Sequence, residues 1–295
     1  MEILHKIQGN KWDATFHETT QDYAILAIEQ GKILLLPELS FQVLPHEQQF
    51  LAPVYAHPKA KNISYDGRTG TLRCAPCSEL ERDGIKILIQ RFATHAEKLV
   101  RTLLHRYDVS LEIGRTSLRV VEISGRASSY RKDDTRLHVD AFPATPNQGR
   151  RILRVFTNIN PQGAPRVWRV GEPFEEVARR FLPKVPKQFP GYAALLRTLK
   201  ITKSFRSEYD HIMLQIHDRM KADLHYQKSA AQNEIHFVPD TTWIVQTDHV
   251  SHAAMSGQHL LEQTFYLPVN AMQEPALSPL RTLERLMGHK LTSQA

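Results

Sequence analysis

Residues 135–142 read TRLHVDAF and set His138 and Asp140 two apart in an apolar run. An imidazole and a carboxylate at that spacing make a pair of metal ligands if the run is extended, because alternate residues of a strand point to one face. In a helix the two side chains would diverge by roughly 200° and could share nothing. Iron, zinc or manganese needs at least one more ligand, and the chain offers fifteen histidines. The informative ones come late, in WIVQTDHVSHAAMSGQHLLEQTFYLP, where His249, His252 and His259 surround a turn at Gly257. His252 is expected at a strand end beside the small Ala253 and Ala254, with room to face inward. His249, three residues earlier, takes the opposite face of a regular strand, and His259 begins the returning one. Spacing favours His252 and leaves the other two open.

Arginines inside strand-like runs are the second signal. Arg119 interrupts SLRVVEI, Arg154 interrupts RILRVFTNI, and Arg166 shares a face with Trp168 in PRVWRV. Period two sets Arg154 with Ile152, Phe156 and Asn158, and Arg119 with Val121 and Ile123. A guanidinium among inward apolar groups is costly unless an anion accompanies it. One such arginine is read most simply as facing water, or as paired with an acid such as Glu122. Two or three beside an aromatic fit a buried site for a small carboxylate held bidentately. His217, in LQIHDRM, lies next to core-facing Ile216 and to Asp218, and on its own reads as a polar helix flank. The only cysteines, Cys74 and Cys77, form a lone C-x-x-C. Without a second pair, two free thiols in a reducing compartment are the simpler reading than half a zinc site or a redox pair.

These side chains need elements to hold them. Seven runs rich in β-branched and aromatic residues read as strands: 117–123, 135–142, 151–159, 165–170, 233–239, 241–247 and 259–268. Three stretches read as helices. Leu88, Phe92, Ala96, Leu99 and Leu103 recur at spacings of three and four between Glu79 and Tyr107. EPFEEVARRFLP and SEYDHIMLQIHDRMKADL repeat the pattern. Many strands with helices before and between them predict an α+β protein built on a sheet sandwich or barrel. In 295 residues, a 41% hydrophobic content is enough for a real core. The net charge of +7 favours anionic partners without choosing among them. No run reaches the roughly 18 apolar residues of a membrane span. The start has no basic segment followed by an apolar one, so no signal peptide is expected and a cytoplasmic protein is.

A strand-borne His-x-Asp with a distant late histidine resembles the facial triad of Fe(II)/2-oxoglutarate dioxygenases. The longer words TRLHVDAFPATPNQGRRILRVFTNINP and TDHVSHAAMSGQHLLEQTFYLP are similar to the bacterial 3-deoxy-D-manno-oct-2-ulosonic acid (Kdo) 3-hydroxylases, from about Arg115 to Pro268. The 111 residues between Asp140 and His252 match that family's spacing and select His252. The resemblance implies a jelly-roll (double-stranded β-helix) core at roughly 115–270 with helices packed outside. On the same reading residues 1–114 are expected to supply supporting helices and strands, with 1–295 as a single catalytic domain. It implies Fe(II) on His138, Asp140 and His252, and 2-oxoglutarate against Arg119, Arg154, Arg166 and Trp168. His217 would lie near the iron and assist oxygen activation. Arg154 is the expected cation for the far carboxylate, with Arg119 and Arg166 as helpers. With O2 as second cosubstrate, C3 of a Kdo residue would be hydroxylated to D-glycero-D-talo-oct-2-ulosonic acid (Ko), with succinate and CO2 as coproducts.

The implied acceptor is a Kdo-containing lipid A precursor, which places the protein at the inner membrane of a Gram-negative-type bacterium. A basic surface suits peripheral contact with anionic lipid. Arg126, Arg131, Lys132 and Arg136 precede the metal motif and are candidates for touching the acceptor. The tail SPLRTLERLMGHKL has an amphipathic pattern that either lies on a membrane or packs on its own domain. Three rivals compete: an oxygenase repairing alkylated nucleic acid, a metal isomerase or hydrolase on a similar barrel, and a silent sugar-binding barrel. No basic, aromatic-rich stretch suited to stacking bases stands out, so no nucleic-acid partner is expected.

Overall fold

The computed structural model describes residues 3–57, 62–125, 128–189, 191, 193 and 197–292; Arg126 lies outside them. Its frame is a pair of facing sheets. Eight strands form the larger: β1 (Leu4–Lys6), β2 (Ile33–Leu36), β3 (Ile63–Asp66), β4 (Thr71–Arg73), β5 (Glu112–Arg119), β6 (Arg151–Asn158), β9 (Thr242–Gln246) and β11 (Leu260–Leu267). They are ordered β1-β2-β9-β6-β11-β5-β3-β4, antiparallel except for β1 on β2. The smaller has the order β10-β7-β8, built from β7 (Arg166–Val170), β8 (Asn233–Phe237) and β10 (His252–Ser256). This is the jelly-roll core of an α+β protein, and β1 to β4 of the first hundred residues widen its larger sheet.

Alternation sorts the side chains into two cores. From β9, Trp243 and Val245 enter the space between the sheets, with Phe156, Trp168 and Phe237. Phe237 and Trp243 stack there with ring centres 4.0 Å apart. Ile244 points the other way, with Leu153, Val155 and Leu261, into the core beneath the helices. Helices α1 (Glu18–Glu29) and α2 (Glu79–Leu103) cover that outer face, α1 on β2 and β9, α2 on β5 and β11. A capping box between Ser78 and Glu81 starts α2, and Ile85, Leu88, Phe92, Ala96 and Leu99 form its buried stripe. Further helices among the described residues are α3 (Phe174–Phe181), α4 (Glu208–Ala222), α5 (Leu224–Ser229) and α6 (Pro279–Met287).

Two expectations change in detail, and one open alternative is decided. TRLHVDAF begins in a turn at Thr135 and a bend at Arg136, and then makes one isolated bridge, His138 with His252, instead of a regular strand. Asp133 turns the chain before it by accepting the Thr135 amide, and Pro143, which has no N–H, follows it. His252 opens β10 instead of closing the strand before it, because residues 247–250 form a turn on Gln246. The tail helix α6 buries Leu280 and Leu283 in the protein's own core, and Arg285 ties it to Glu175 of α3 at 2.9 Å. Its apolar face is therefore not available to a membrane.

One buried ion pair anchors β6 to the turn before β10. Arg151 Nε donates to Asp248 Oδ2 at 2.8 Å, and both side chains are fully buried. Arg151→Ala would strand the carboxylate, and its urea unfolding curve is expected to show a loss of about 3–5 kcal/mol.

Candidate metal centre

The bridge that interrupts the ladder builds the site. His138 N donates to His252 O at 3.0 Å and His252 N to His138 O at 2.9 Å, so the two imidazoles sit side by side with ring centres 4.6 Å apart. Asp140 N, two residues on, is fixed to Thr247 O at 2.8 Å. One donor atom each from His138, Asp140 and His252 lie within 4.8 Å of one another. Both rings donate Nδ1–H to a main-chain carbonyl, His138 to Arg136 and His252 to Val250, each at 2.8 Å. That fixes the tautomer and leaves each Nε2 lone pair free. Burial drives the His138 pKa down to about 3 and lowers that of His252, keeping the rings neutral. Burial opposes the charge of Asp140, but the Arg154 guanidinium together with the neighbouring His138 and His252 outweighs it and holds the carboxyl well below its usual range. Asp140 Oδ2 is buried without a hydrogen bond, 3.2 Å from Arg154. Two neutral imidazoles and one ionised carboxylate are the donors of a facial triad, so the residues fit a divalent iron.

The three strand arginines meet around the same small cavity of about 50 Å³, which Trp168 also lines. They are not equivalent. Arg119 lies 2.6 Å from Glu262 and 3.8 Å from Asp134, while Arg154 lies 3.2 Å from both Glu262 and Asp140. Arg166 has no carboxylate within ion-pair distance among the described residues; Nη1 donates to Gly257 O at 2.8 Å, and Nε has no partner. Burial, then the like charge of Arg119, presses its guanidinium down to about 9. Trp168 stacks on His252 at 5.0 Å, and its buried Nε1–H is also unpartnered. Arg154 Nε is orphaned as well, so three unpartnered N–H donors and an unmatched cation beside the triad fit an anionic cosubstrate.

His217, on α4, sets its ring edge-on to His138 with centres 5.4 Å apart, and its Nδ1 meets Asp218 at 2.9 Å. His249 packs instead against Phe174 and Gly31, and does not line the cavity. Cys74 and Cys77 are free thiols 3.9 Å apart. Sequence reasoning missed Glu262, which bridges Arg119 and Arg154, and its signal was an acid at a core position of HLLEQTFYLP. Asp134 also went unnoticed, because nothing in RKDDTR separates it from a solvated loop.

The model of the family described as 3-deoxy-D-manno-oct-2-ulosonic acid (Kdo) hydroxylase matches residues 11–290. The chain belongs to this family. Among solved structures, the Kdo hydroxylase KdoO, a non-heme Fe(II) alpha-ketoglutarate-dependent dioxygenase, is similar over nearly its whole length. Its cobalt(II) complex is 47% identical, covers 100% of this chain and 99% of that one, and superposes with a TM-score of 0.97. Its complex with alpha-ketoglutarate and Fe(III) gives 46% identity, the same coverages and a TM-score of 0.96. Its apo structure gives 47% and 0.97, again with 100% and 99% covered. No curated protein matches the chain. In this Kdo hydroxylase every site residue expected from sequence except His217 lines one cavity, and His217 packs against its histidine wall.

Proposed function

We propose that this Kdo hydroxylase binds Fe(II) through His138, Asp140 and His252, takes 2-oxoglutarate against Arg166, and hydroxylates C3 of a Kdo residue in a lipid A precursor to give Ko. One observation carries the reading: a triad with both Nδ1 atoms tied back shares its cavity with unpartnered Arg166 and Trp168 donors. When bound, iron with 2-oxoglutarate and O2 supplies an oxidant able to replace C–H by C–OH, releasing succinate and CO2. The chain's residues position and exclude. Arg166 anchors the far carboxylate, with Trp168 as a wall that donates Nε1–H and keeps water from that end. Arg119 and Arg154, locked by Glu262, orient Asp140 and add positive potential. The catalytic unit is taken as 1–295, since β1 to β4 complete the sheet that carries these arginines. The test adds Fe(II) and 2-oxoglutarate without oxygen and watches for a visible charge-transfer band. Oxygen and a Kdo-bearing lipid A precursor follow, and mass spectrometry reads the gain of one oxygen atom. A folded, metal-loaded protein without the band overturns the site, and a band without product overturns the substrate.

With Asp218 engaging its Nδ1, His217 keeps Nε2 to give or take a proton beside His138. His217→Ala is expected to lower kcat by about 100-fold, within the range for a lost acid–base group, with the band intact. Stopped-flow absorbance checks this.

Peripheral contact with an anionic membrane belongs to the same reading. No helix among the described residues is long and apolar enough to cross one. Leu199, Ile201 and Phe205 are exposed near Lys200 and Lys203, an apolar and basic mix suited to a lipid interface. The triple substitution to serine is expected to reduce sedimentation with vesicles of anionic lipid by about tenfold or more, since returning even one such side chain from lipid to water costs about 1.5 kcal/mol, while iron loading stays unchanged.

A further inference from the structure

A second cavity of about 510 Å³ lies beyond Arg119 and Arg154, which line both it and the metal cavity. Phe142, two residues after Asp140, and Tyr266 of β11 supply aromatic walls. Seven cationic side chains line it against three carboxylates. Pairing disposes of several: Arg150 with Glu112 at 2.5 Å, and Arg119 and Arg154 with Glu262. Arg115 stands 3.9 Å from Asp66. Arg68, Arg73 and Lys203 have no carboxylate within ion-pair distance among the described residues.

The unmatched charge collects at one end. There a lobe of about 210 Å³ is lined by Arg73, Arg115 and Lys203 against the single carboxylate of Asp66, with the hydroxyl-bearing Ser64, Thr69 and Thr71. A strand irregularity puts Arg115 in this set. Gln263 pairs with Thr116 but Phe265 pairs with Ile113, so β5 carries one extra residue opposite β11. Such a bulge re-aims side chains, and both Gly114 and Arg115 line the cavity. Gly114 is also where the strands close tightly: a Cβ there would lie 2.8 Å from Thr264 O. Asp66 offsets one of the three charges, at 3.9 Å from Arg115, and leaves Arg73 and Lys203 as a surplus that a bound anion would neutralise, with hydroxyls to complete its hydrogen bonding.

We propose that this lobe is an oxyanion subsite, holding a phosphate or a second sugar carboxylate of the acceptor while the reacting sugar occupies the Phe142 end. The assignment rests on the hydroxylase reading for its substrate class. It makes the enzyme selective for an acidic saccharide carrying a second anionic group at a distance from the reacting carbon. That choice is made by Arg73, Arg115 and Lys203, outside the metal and cosubstrate machinery.

The test is calorimetric binding to protein loaded anaerobically with Fe(II) and 2-oxoglutarate. The probes are deacylated lipid A precursors bearing one or two Kdo units, each before and after phosphatase treatment. Removing the group held in the lobe is expected to weaken binding about tenfold, the loss of one charge-assisted contact. Dependence on phosphatase identifies it as phosphate, and dependence on the second Kdo as carboxylate. In the double variant Arg73→Gln/Lys203→Gln that difference should vanish with the charge-transfer band unaltered. Both side chains are exposed, so the fold is not at risk. Wild-type binding indifferent to both groups, absence of binding to any probe, or a variant that keeps the full preference would overturn the subsite. Failure of the hydroxylase reading shows separately, as a tightly held acceptor that gains no oxygen.

Discussion

Asp140→Ala is expected to lower kcat/KM by roughly a thousandfold or more, about 4 kcal/mol of lost transition-state stabilisation, and to abolish the visible band of the Fe(II)–2-oxoglutarate complex. Two losses combine in that one change. The triad loses its only carboxylate and its only negative charge, leaving two neutral imidazoles that bind Fe(II) weakly. Arg154 also loses one of its two acids and keeps only Glu262 at 3.2 Å. The cation then faces the metal position unneutralised and repels it. The variant should still fold, because the His138–His252 bridge is made by main-chain groups. Near-ultraviolet circular dichroism of the metal-free proteins would check this. A variant that retains the band at wild-type iron concentrations would show that Asp140 is not a ligand.

Arg166→Ala is expected to raise KM for 2-oxoglutarate on the order of a hundredfold, with kcat at saturating cosubstrate changed only a few-fold. Truncating one partner of a buried charge pair costs about 2–5 kcal/mol, and each 1.4 kcal/mol or so is a factor of ten. Arg166→Lys should recover little, since an ammonium cannot reproduce a planar fork that also holds Gly257 O. Arg154→Ala supplies the contrast. Its guanidinium touches Asp140 and Glu262, so its loss should weaken iron binding by about 10- to 100-fold, as for other groups that orient a ligand. Steady-state kinetics with iron and 2-oxoglutarate varied independently separates the two. An Arg166 variant with unchanged KM for 2-oxoglutarate, beside an Arg154 variant with a large rise, would return the anchor to Arg154.

The pairing pattern that prompts this proposed division was not legible in the sequence, although the arginines themselves were. Period two brought Arg119, Arg154 and Arg166 to one interior, and the apolar neighbours of each marked the site as buried. Which of them lacks an acid depends on β11 crossing between β5 and β6 so that Glu262 reaches two of them. Such pairing is a fact of sheet order, and a single chain does not display sheet order. The pairing of His138 with Asp140 was legible because they are near neighbours, and the structure brings His252 to them. His252 needed the family spacing, since the turn at 247–250 resets the alternation that strand counting relies on. The helices over 79–103 and 208–222 were visible from their stripes. Helix α1 was not, because ETTQDYAILAIE has only a short apolar stretch and its burial comes from β2 and β9. The tail's pattern identified an amphipathic helix, and only packing shows that α3 and the core take its apolar face.

The bridge between His138 and His252 has a consequence for motion. Two of the three candidate ligands sit on the residues whose amides and carbonyls join the loop to the edge of β10, with Ala254 N to Asp134 O as the next link at 2.8 Å. An ion held by both imidazoles would act as a rivet through that seam. Amide hydrogens of His138 and His252 should then exchange with solvent more slowly with iron bound than after chelation, and the slowing should extend to Asp140. Beyond Asp140 the same loop carries Phe142, the aromatic wall of the larger cavity. Iron content would thereby set how firmly that wall stands.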